Sequence, residues 1–314
     1  MSMTAAIRAP RGFMTQRRRS VPKGFACLAV AERPLGRVAM ALMALAAVLS
    51  PGDAAKAAGE GIVMAPHRAI YEMTLANARG GSSVTQVSGR MVYELTGSVC
   101  EGYTQNMRFV TRMESQNGTS TLTDLRSNSW EDGKGQRFRF NSTQLRDEKA
   151  TEFTTGDAAR SATADIKVEL TRPAKRDLTV PRAAYFPVQH SIALIEAAKA
   201  GRTSFRADLY DGSEKGEKVY DTVSAIGKPT RSQPPRKPAG KNVERMDNIA
   251  AWPVSIAYYE TKSDKKDAVP VYELSFLFLE NGVSRNLLID YGDFAIQGDL
   301  KEIDFLEPSK CDKR

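Results

Sequence analysis

Few side chains in this sequence have the types and spacing that catalysis requires. Its two histidines, His67 and His190, lie next to no serine or cysteine in a recognisable nucleophile motif. The Gly-x-Ser-x-Gly, His-Glu-x-x-His and phosphate-loop patterns are also missing from the sequence. We therefore expect both histidines to be structural or surface residues, and we expect no catalytic residue, no metal site and no cofactor.

A second candidate for chemistry is the carboxylate pair Asp290 and Asp293, which brackets Tyr291-Gly292. Two such carboxylates could serve acid/base catalysis or bind a cation. A turn or bulge around Gly292 that ends a strand explains the same residues. We favour the turn over the catalytic interpretation.

The first 57 residues have the three parts of a secretory signal. An Arg-rich beginning is followed by an apolar core of 12 residues from Val38 to Leu49 and by the small-residue site Ala55-Lys56-Ala57. A helix needs about 20 apolar residues to span a bilayer, so a membrane anchor is the less favoured alternative. We expect residues 1–57 to be a signal peptide that is cleaved after Ala57, which leaves 58–314 as one large domain that is not membrane-spanning.

The basic character of the chain belongs to this leader. The whole sequence has 45 basic and 37 acidic residues, and nine basic and two acidic residues lie at or before Ala57. The remaining 36 basic and 35 acidic residues nearly balance each other. A nucleic-acid partner is therefore not expected, because such proteins carry their positive charge in the binding domain.

Two cysteines, Cys100 and Cys311, remain after the leader and Cys27 are removed. In an exported chain we expect them to form a disulfide with each other, because the compartment is oxidising. Two buried free thiols are the alternative. Neither zinc binding nor thioredoxin-type chemistry is indicated, since no Cys-x-x-Cys spacing occurs.

Alternation of apolar and polar residues with period two dominates from His67 onward, which is typical of β-strands. Short turns join about thirteen such segments, so the fold class is all-β and mainly antiparallel. One amphipathic helix is predicted from Val188 to Ala200, because Pro187 suits a first helical turn and Gly201 a helix end. Its apolar stripe should pack over a sheet face or into the mouth of a barrel.

The clearest strand pair is the hairpin from Val271 to Phe294, which turns at Asn281-Gly282. An Asn-Gly loop favours a type I′ turn. One face of this hairpin is apolar and should line the core, whereas the other is too apolar for solvent, so we expect something to cover it. The turn predicts four facing pairs, which are Phe278 with Arg285, Phe276 with Leu287, Leu274 with Ile289, and Tyr272 with Tyr291.

Two segments are predicted as loops. Arg172-Pro173 and Val180-Pro181 mark the first, before the helix. The second, residues 228–247, has four prolines among basic residues and is interpreted as a mobile surface loop. A basic arm that binds a partner is the alternative for this segment.

Five further motifs occur in order along the chain. They are His67-Arg-Ala-Ile-Tyr71, Cys100-Glu-Gly-Tyr-Thr-Gln-Asn-Met-Arg-Phe109, Phe186-Pro-Val-Gln-His190, Trp252-Pro-Val254, and Asn281-Gly-Val-Ser-Arg285 through Asp290-Tyr-Gly-Asp-Phe294. With both cysteines, these motifs together resemble the EipB family of cell-envelope integrity proteins. The resemblance implies a spiral-like β-barrel, open or closed, that is exported to the periplasm of alphaproteobacteria. It also implies a disulfide between Cys100 and Cys311 and offers no enzymatic residues. The leader and the 228–247 loop match least.

The leading hypothesis is a non-enzymatic periplasmic protein that maintains envelope integrity through a protein partner or a bound amphiphile. A lipid or lipoprotein carrier of the open-barrel type is the second hypothesis, because both faces of the Val271 to Asp290 hairpin carry apolar residues. A peptidoglycan-processing enzyme that uses Asp290 and Asp293 is the third and least favoured.

Overall fold

The computed structural model describes residues 61–233, 240–260 and 268–311, all of which belong to one compact unit. The predicted signal peptide lies outside the described residues. Within these ranges the chain forms one α-helix, fifteen strands and two short 3-10 segments. The strands are β1 (His67–Ala78), β2 (Val84–Ser98), β3 (Gly102–Ser115), β4 (Ser120–Glu131), β5 (Arg137–Arg146), β6 (Lys149–Ala159), β7 (Ile166–Arg172), β8 (Arg176–Val180), β9 (Ser204–Leu209), β10 (Tyr220–Ile226), β11 (Thr230–Arg231), β12 (Ala250–Glu260), β13 (Tyr272–Leu279), β14 (Ser284–Asp290) and β15 (Phe294–Phe305), and helix α1 is Pro187–Lys199.

All fifteen strands belong to one antiparallel sheet in the order β8-β7-β6-β5-β4-β3-β2-β1-β15-β14-β13-β12-β10-β9, with β11 added beside β12. Strands β8 and β9 are the edges and do not pair with each other within the described residues. The chain after β8 approaches β9 instead, through a parallel bridge between Tyr185 and Leu209. The sheet is therefore an open spiral, and the all-β, barrel-like prediction is confirmed.

The strand count differs from the predicted thirteen because two short strands were not recognised. Strand β8 lies inside the segment that we predicted to be a loop, and it pairs with β7 through Val180 and Ile166. Val180 is buried in a cluster with Phe138 and Phe186, so tertiary packing stabilises a segment whose flanking prolines suggest a loop. The other unrecognised strand, β11, has only two residues.

Helix α1 occupies the predicted position to within one residue at each end. Pro187 lies in its first turn, and Gly201, with φ of +73°, follows its end. Its buried side chains include Val188 and Leu194, which belong to the main core. The helix therefore lies inside the spiral, against the inner sheet face, as the apolar stripe predicted.

The hairpin of β13 and β14 is confirmed, but its turn type and half of its register were wrong. Gly282 has φ of +86° whereas Asn281 does not have a positive φ, and the amide of Leu279 donates to the carbonyl of Val283 at 2.9 Å. This is a three-residue loop with glycine in the left-handed position rather than a type I′ turn. Phe278 consequently faces Ser284 instead of Arg285.

A bulge in β14 then restores the predicted register. Asn286 has φ of +54°, and the ladder shifts between the pairs Leu277–Arg285 and Ser275–Leu288. The predicted pair Leu274–Ile289 is present beyond this bulge. One consequence is that Arg285 lies on the outer face of the hairpin.

The outer face of the hairpin is covered, as predicted, and the cover comes from the segment that we predicted to be mobile. A 3-10 segment, Val243–Met246, packs against Leu279, Val283 and Ile303. Arg285 is 5 % exposed and donates to the hydroxyl of Ser232 at 2.6 Å, so it attaches this segment to β14. Both ends of the segment are thus fixed by packing, while residues 234–239 lie outside the described residues.

A disulfide joins Cys100, in the turn after β2, to Cys311, beyond β15, with a Cα–Cα distance of 5.5 Å. Because Cys100 follows an early strand and Cys311 follows the last one, the sequence by itself predicts that this bond connects the two ends of the sheet order. Instead β1 lies between β2 and β15, so the bond links segments near the middle of the sheet. The true ends are β8 and β9.

Candidate functional site

The inner face of the sheet contains an open cleft where β3, β4 and β5 run beside one another. The space inside it that can hold water-sized molecules is about 60 Å³, and the cleft is open to solvent. Two neighbouring rows of cross-strand partners form its main wall, Gln105–Ser129–Phe140 and Met107–Ser127–Ser142. The lining residues are Tyr93, Gln105, Met107, Leu125, Ser127, Ser129, Phe140, Asn141, Ser142, Pro187, Asp211, Gly212 and Ser213.

The serines of this wall depart from the pattern that a filled barrel requires. Inward positions of small barrels are normally filled by apolar side chains. Ser127, Ser129 and Ser142 occupy three such positions on neighbouring strands and leave space where larger side chains would meet. Departures from core packing of this kind are characteristic of functional sites. This cleft is therefore the candidate site.

A rigid turn places Asp211 at the rim of the cleft. Gly212 has φ of +71°, and a Cβ atom at this position would lie 2.3 Å from the ring of Phe140, so only glycine allows the turn to approach β5. The Oδ1 atom of Asp211 accepts a hydrogen bond from the amide of Ser213 at 2.9 Å. Tyr210, just before this turn, donates its hydroxyl to the carbonyl of Gly216 at 2.8 Å.

Asp211 is electrostatically unusual. Its Oδ2 atom is buried, and the hydroxyl of Ser213 is its side-chain hydrogen-bond partner, although the contact falls short of good hydrogen-bond geometry. Burial raises the pKa of the Asp211 carboxyl, and Ser213 only partly offsets this. None of the described residues that line the cleft is a lysine, arginine or histidine. The cleft therefore presents a carboxyl group without a basic partner.

The other side of the cleft is apolar or already hydrogen-bonded. The amide of Gln105 donates to the hydroxyl of Tyr93 at 2.8 Å, so both polar groups have partners. Leu125 is buried in the main core, and Met107 packs against it from the partly buried layer. A ligand would thus meet an apolar surface beside a set of hydroxyls and one carboxyl group.

Glu131 connects the cleft to helix α1. This residue ends β4, two positions after Ser129, and is 1 % exposed. Its carboxyl oxygens accept hydrogen bonds from the amides of Val188 at 2.7 Å and Gln189 at 2.9 Å. Amides in the first turn of a helix have no acceptor within the helix itself, so Glu131 supplies one. Burial raises the pKa of Glu131 to about 8. The carboxyl group holds the helix start, and with it Pro187, at the edge of the cleft.

Both histidines are buried and structural. The Nδ1 atom of His67 lies 2.7 Å from the carbonyl of Ala65. His190 contacts the hydroxyl of Thr222 at 3.1 Å, and that hydroxyl itself donates to the carbonyl of Ala207 at 2.6 Å. His190 must therefore donate through Nε2. Burial lowers the pKa of His190 to about 3, so the ring is neutral at neutral pH.

The carboxylate pair near the end of β14 forms a turn, as we favoured. The two oxygens of Asp290 accept hydrogen bonds from the amide of Gly292 and from the guanidinium of Arg79, each at 2.8 Å. Gly292 has φ of +90°. Asp293 is exposed and its backbone carbonyl accepts a hydrogen bond from the amide of Arg79. The structure thus uses these residues to end a strand.

Comparison with known proteins identifies the family. The EipB-like family model matches residues 58–307. This chain belongs to the EipB-like family. It is 35 % identical over 256 residues to the cell envelope integrity protein EipB of Brucella abortus (strain 2308), a match that covers 82 % of this chain and 89 % of that protein.

A solved structure in the same family has the same fold. The crystal structure of a beta-barrel-like protein of Domain of Unknown Function DUF1849 from Brucella abortus superposes with a TM-score of 0.72 at 33 % identity. The superposition covers 79 % of this chain and 100 % of the Brucella chain. Within the ranges that the structure describes, no helix is both long and apolar enough to cross a membrane.

Sequence reasoning did not identify the cleft. It assigned Asp211-Gly212 to a turn, which is correct, but gave no role to Asp211 or to the three inward serines. The available signal was in β4, where polar residues fall on both faces of the strand. That pattern indicates a strand without a packed inner face, and it would have directed attention to the cleft.

Proposed function

We propose that this protein is a non-enzymatic periplasmic protein that supports cell-envelope integrity by holding an amphiphile, or a segment of an envelope protein partner, in the inner cleft. The observation that carries the proposal is the open, serine-lined cleft in the middle of an otherwise well-packed spiral. Membership of the EipB-like family, whose Brucella relative is named for cell-envelope integrity, supports the biological role.

Location and chemistry support the same proposal. The secretory features of residues 1–57 and the disulfide between Cys100 and Cys311 both favour an oxidising compartment outside the cytoplasm. The serines of the cleft have no histidine beside them among its lining residues, and His190 is engaged with Thr222. Binding, rather than acyl transfer, is the activity that this arrangement supports.

The test is to fill the cleft without changing the rest of the barrel. Ser142→Trp places a large side chain in the cleft, whereas Thr143→Trp places the same side chain on the opposite face of β5. Both variants and the parent are expressed in a strain that lacks the gene, and survival on detergent plates is measured together with periplasmic abundance. We expect the parent and Thr143→Trp to restore survival and Ser142→Trp to fail at equal abundance.

Full restoration by Ser142→Trp would show that the cleft has no part in envelope integrity. Because a tryptophan at this position can also lower stability, the purified variants are compared by thermal unfolding. Ser142→Leu, which fills less space, serves as a second cleft variant, and we expect it to restore survival only partly.

A further inference from the structure

A separate groove lies on the outer face of the sheet, across β4, β5, β6 and β7, on the side opposite to the inner cleft. The space in it that can hold water-sized molecules is about 400 Å³, and the groove is open to solvent. One row of cross-strand partners forms its first wall, Trp130–Arg139–Asp157–Glu169. Pockets of about 300 to 1,000 Å³ are typical of ligand sites, so this groove is large enough to hold a ligand.

A second row of partners, Asn128–Asn141–Thr155, forms the other wall. Between the two rows, Gly156 and the ring of Phe140 also line the groove. A Cβ atom at Gly156 would lie 2.6 Å from that ring, so the ring packs directly against the glycine backbone. Glycine inside a strand often marks a place where a ligand or another backbone comes close. The groove thus combines polar walls with an apolar strip between them.

Arg139 holds a fixed position in the groove. Its guanidinium carbon lies 5.1 Å from the centre of the Trp130 ring, and its Nε donates to the carboxylate of Asp157 at 3.0 Å. Trp130 is held in turn, because its indole N–H donates to the carbonyl of Glu101 at 3.2 Å. The side chain of Arg139 is 59 % exposed, and its two terminal nitrogens donate to no other described residue. These donors are therefore positioned in advance, which lowers the entropic cost of binding.

The acceptors of the groove are also available. Asn141 donates its amide hydrogen to the hydroxyl of Thr155 at 3.3 Å, and Asn128 donates to Asn106. The Oδ1 atoms of Asn128 and Asn141 accept no hydrogen bond from the described part of the chain. A ligand in the groove would therefore meet fixed donors and free acceptors side by side.

The charges of the groove do not suit an ion. Its described lining residues include one arginine and two carboxylates, Asp157 and Glu169, but no lysine or histidine. Arg139 is already paired with Asp157, so an anion would lie beside the uncompensated carboxylate of Glu169. A cation would lie beside the guanidinium. Hydroxyl groups both donate and accept hydrogen bonds, so an uncharged polyhydroxyl compound matches this mixture of groups.

We propose that the outer groove binds a neutral oligosaccharide. Arg139 and the two asparagines would bind the sugar hydroxyls, while Trp130 and Phe140 supply apolar surface for the C–H faces of the rings. The four strands span roughly 14 Å at a spacing of about 4.8 Å. That length suits several linked sugar rings, so the ligand class is an uncharged glycan chain. The site is distinct from the inner cleft and does not depend on the proposed function.

The test is an NMR titration of isotope-labelled protein without its leader. Cellotetraose and tetra-N-acetylchitotetraose are uncharged, have the same linkage and differ in their acetamido groups, whereas tetragalacturonic acid is an anion. We expect at least one of the two neutral sugars to bind saturably and at least tenfold more tightly than the acid. The tighter neutral sugar indicates whether the natural source is a glucan or a polymer of acetylated amino sugars.

The two tryptophans and three variants locate the site. The indole signal of Trp130 should shift on binding, whereas that of Trp252, which is 6 % exposed in the main core, should not. Arg139→Gln and Asn141→Ala should each weaken binding at least fivefold. Arg126→Gln is the matched control and should bind like the parent, because Arg126 is also paired with an aspartate and is 54 % exposed but lies outside the groove lining.

Several results would overturn the inference. They are the absence of saturable binding for both neutral sugars, an affinity for the acid equal to theirs, and an unshifted Trp130 signal at saturation. Parent-like binding by Arg139→Gln and Asn141→Ala would also refute it. Both residues are exposed, and thermal unfolding checks that the variants remain folded. None of these results bears on the inner cleft, because the cleft test uses Ser142 on the opposite face of β5.

Discussion

Replacing Glu131 tests how the structure fixes helix α1 inside the spiral. Its carboxyl oxygens accept the amides of Val188 at 2.7 Å and Gln189 at 2.9 Å in a site that is 1 % exposed. In Glu131→Ala both amides lose their acceptor. Each buried donor without a partner costs about 1 to 3 kcal/mol, so we expect a loss of roughly 2 to 6 kcal/mol. That is a large share of the roughly 5 to 15 kcal/mol by which a typical domain is stable.

The assay is urea unfolding at neutral pH with the disulfide intact. Glu169→Ala, which removes the same side chain from an exposed position on β7, is the control and should change stability by less than about 0.5 kcal/mol. If Glu131→Ala unfolds within about 0.5 kcal/mol of the parent, roughly the error of such a comparison, the carboxyl group does not hold the helix.

The same residue gives a pH signature. Burial raises the pKa of Glu131 from its ordinary 4.5 to about 8. The hydrogen bonds from the two amides and the charge of Arg160 act in the opposite direction, whereas the charge of Asp132 raises the pKa further. A raised pKa in the folded state means that the stabilisation is complete below pH 4.5 and is lost as the pH rises through about 8. The stability of the parent relative to Glu131→Gln should therefore fall across this range, by at most roughly 5 kcal/mol. A constant difference would refute the assignment.

Three further predictions concern the scaffold. The double variant Cys100→Ser and Cys311→Ser should have a lower melting temperature, while its β-structure persists at low temperature. In the chain-entropy model the bond stabilises the fold by roughly 5 kcal/mol at most. Identical melting curves for the variant and the parent would contradict this role. Gly282→Ala should lower the free energy of unfolding in urea by about 1 to 3 kcal/mol, whereas Asn281→Ala should lower it by less than about 1 kcal/mol. The difference is expected because only Gly282 has a positive φ. Equal losses of stability would favour the type I′ turn. Arg285→Ala should increase proteolysis between residues 228 and 247, because it removes the hydrogen bond to Ser232, and unchanged cleavage kinetics would refute this role.

Much of the fold could be predicted because local signals agree with the final structure. Alternation in β1 places Ala69, Tyr71 and Met73 on one face, and all three are buried. Proline and glycine at its two ends define helix α1. In these segments the period of apolar residues and the turn residues lead to the same structure.

The errors occurred where distant contacts override local signals. A bulge at Asn286, with φ of +54°, determines which face Arg285 occupies, and no residue in the hairpin sequence marks it. The prolines of residues 228–247 suggest mobility, but Met246 is 0 % exposed because it packs in a cluster with residues of β13 and β15. This cover also removes the exposed apolar surface that had suggested a carrier.

The candidate site was the least predictable part. Asp211 follows β9, and the serines that share its cleft belong to β4 and β5, some 70 to 85 residues earlier in the chain. Their proximity depends on the order of strands in the spiral, which a single sequence does not specify. The individual turn at Asp211-Gly212 was predictable, whereas its contact with Phe140 was not.

Native mass spectrometry of protein purified from the periplasm tests the central claim most directly. If the inner cleft holds an amphiphile in the cell, the parent and Thr143→Trp should carry an additional non-covalent mass that a gentle increase in collision energy removes. Ser142→Trp, in which the cleft is filled, should lack this mass. A parent protein without any bound mass, or a Ser142→Trp variant that retains the same mass, would contradict the account.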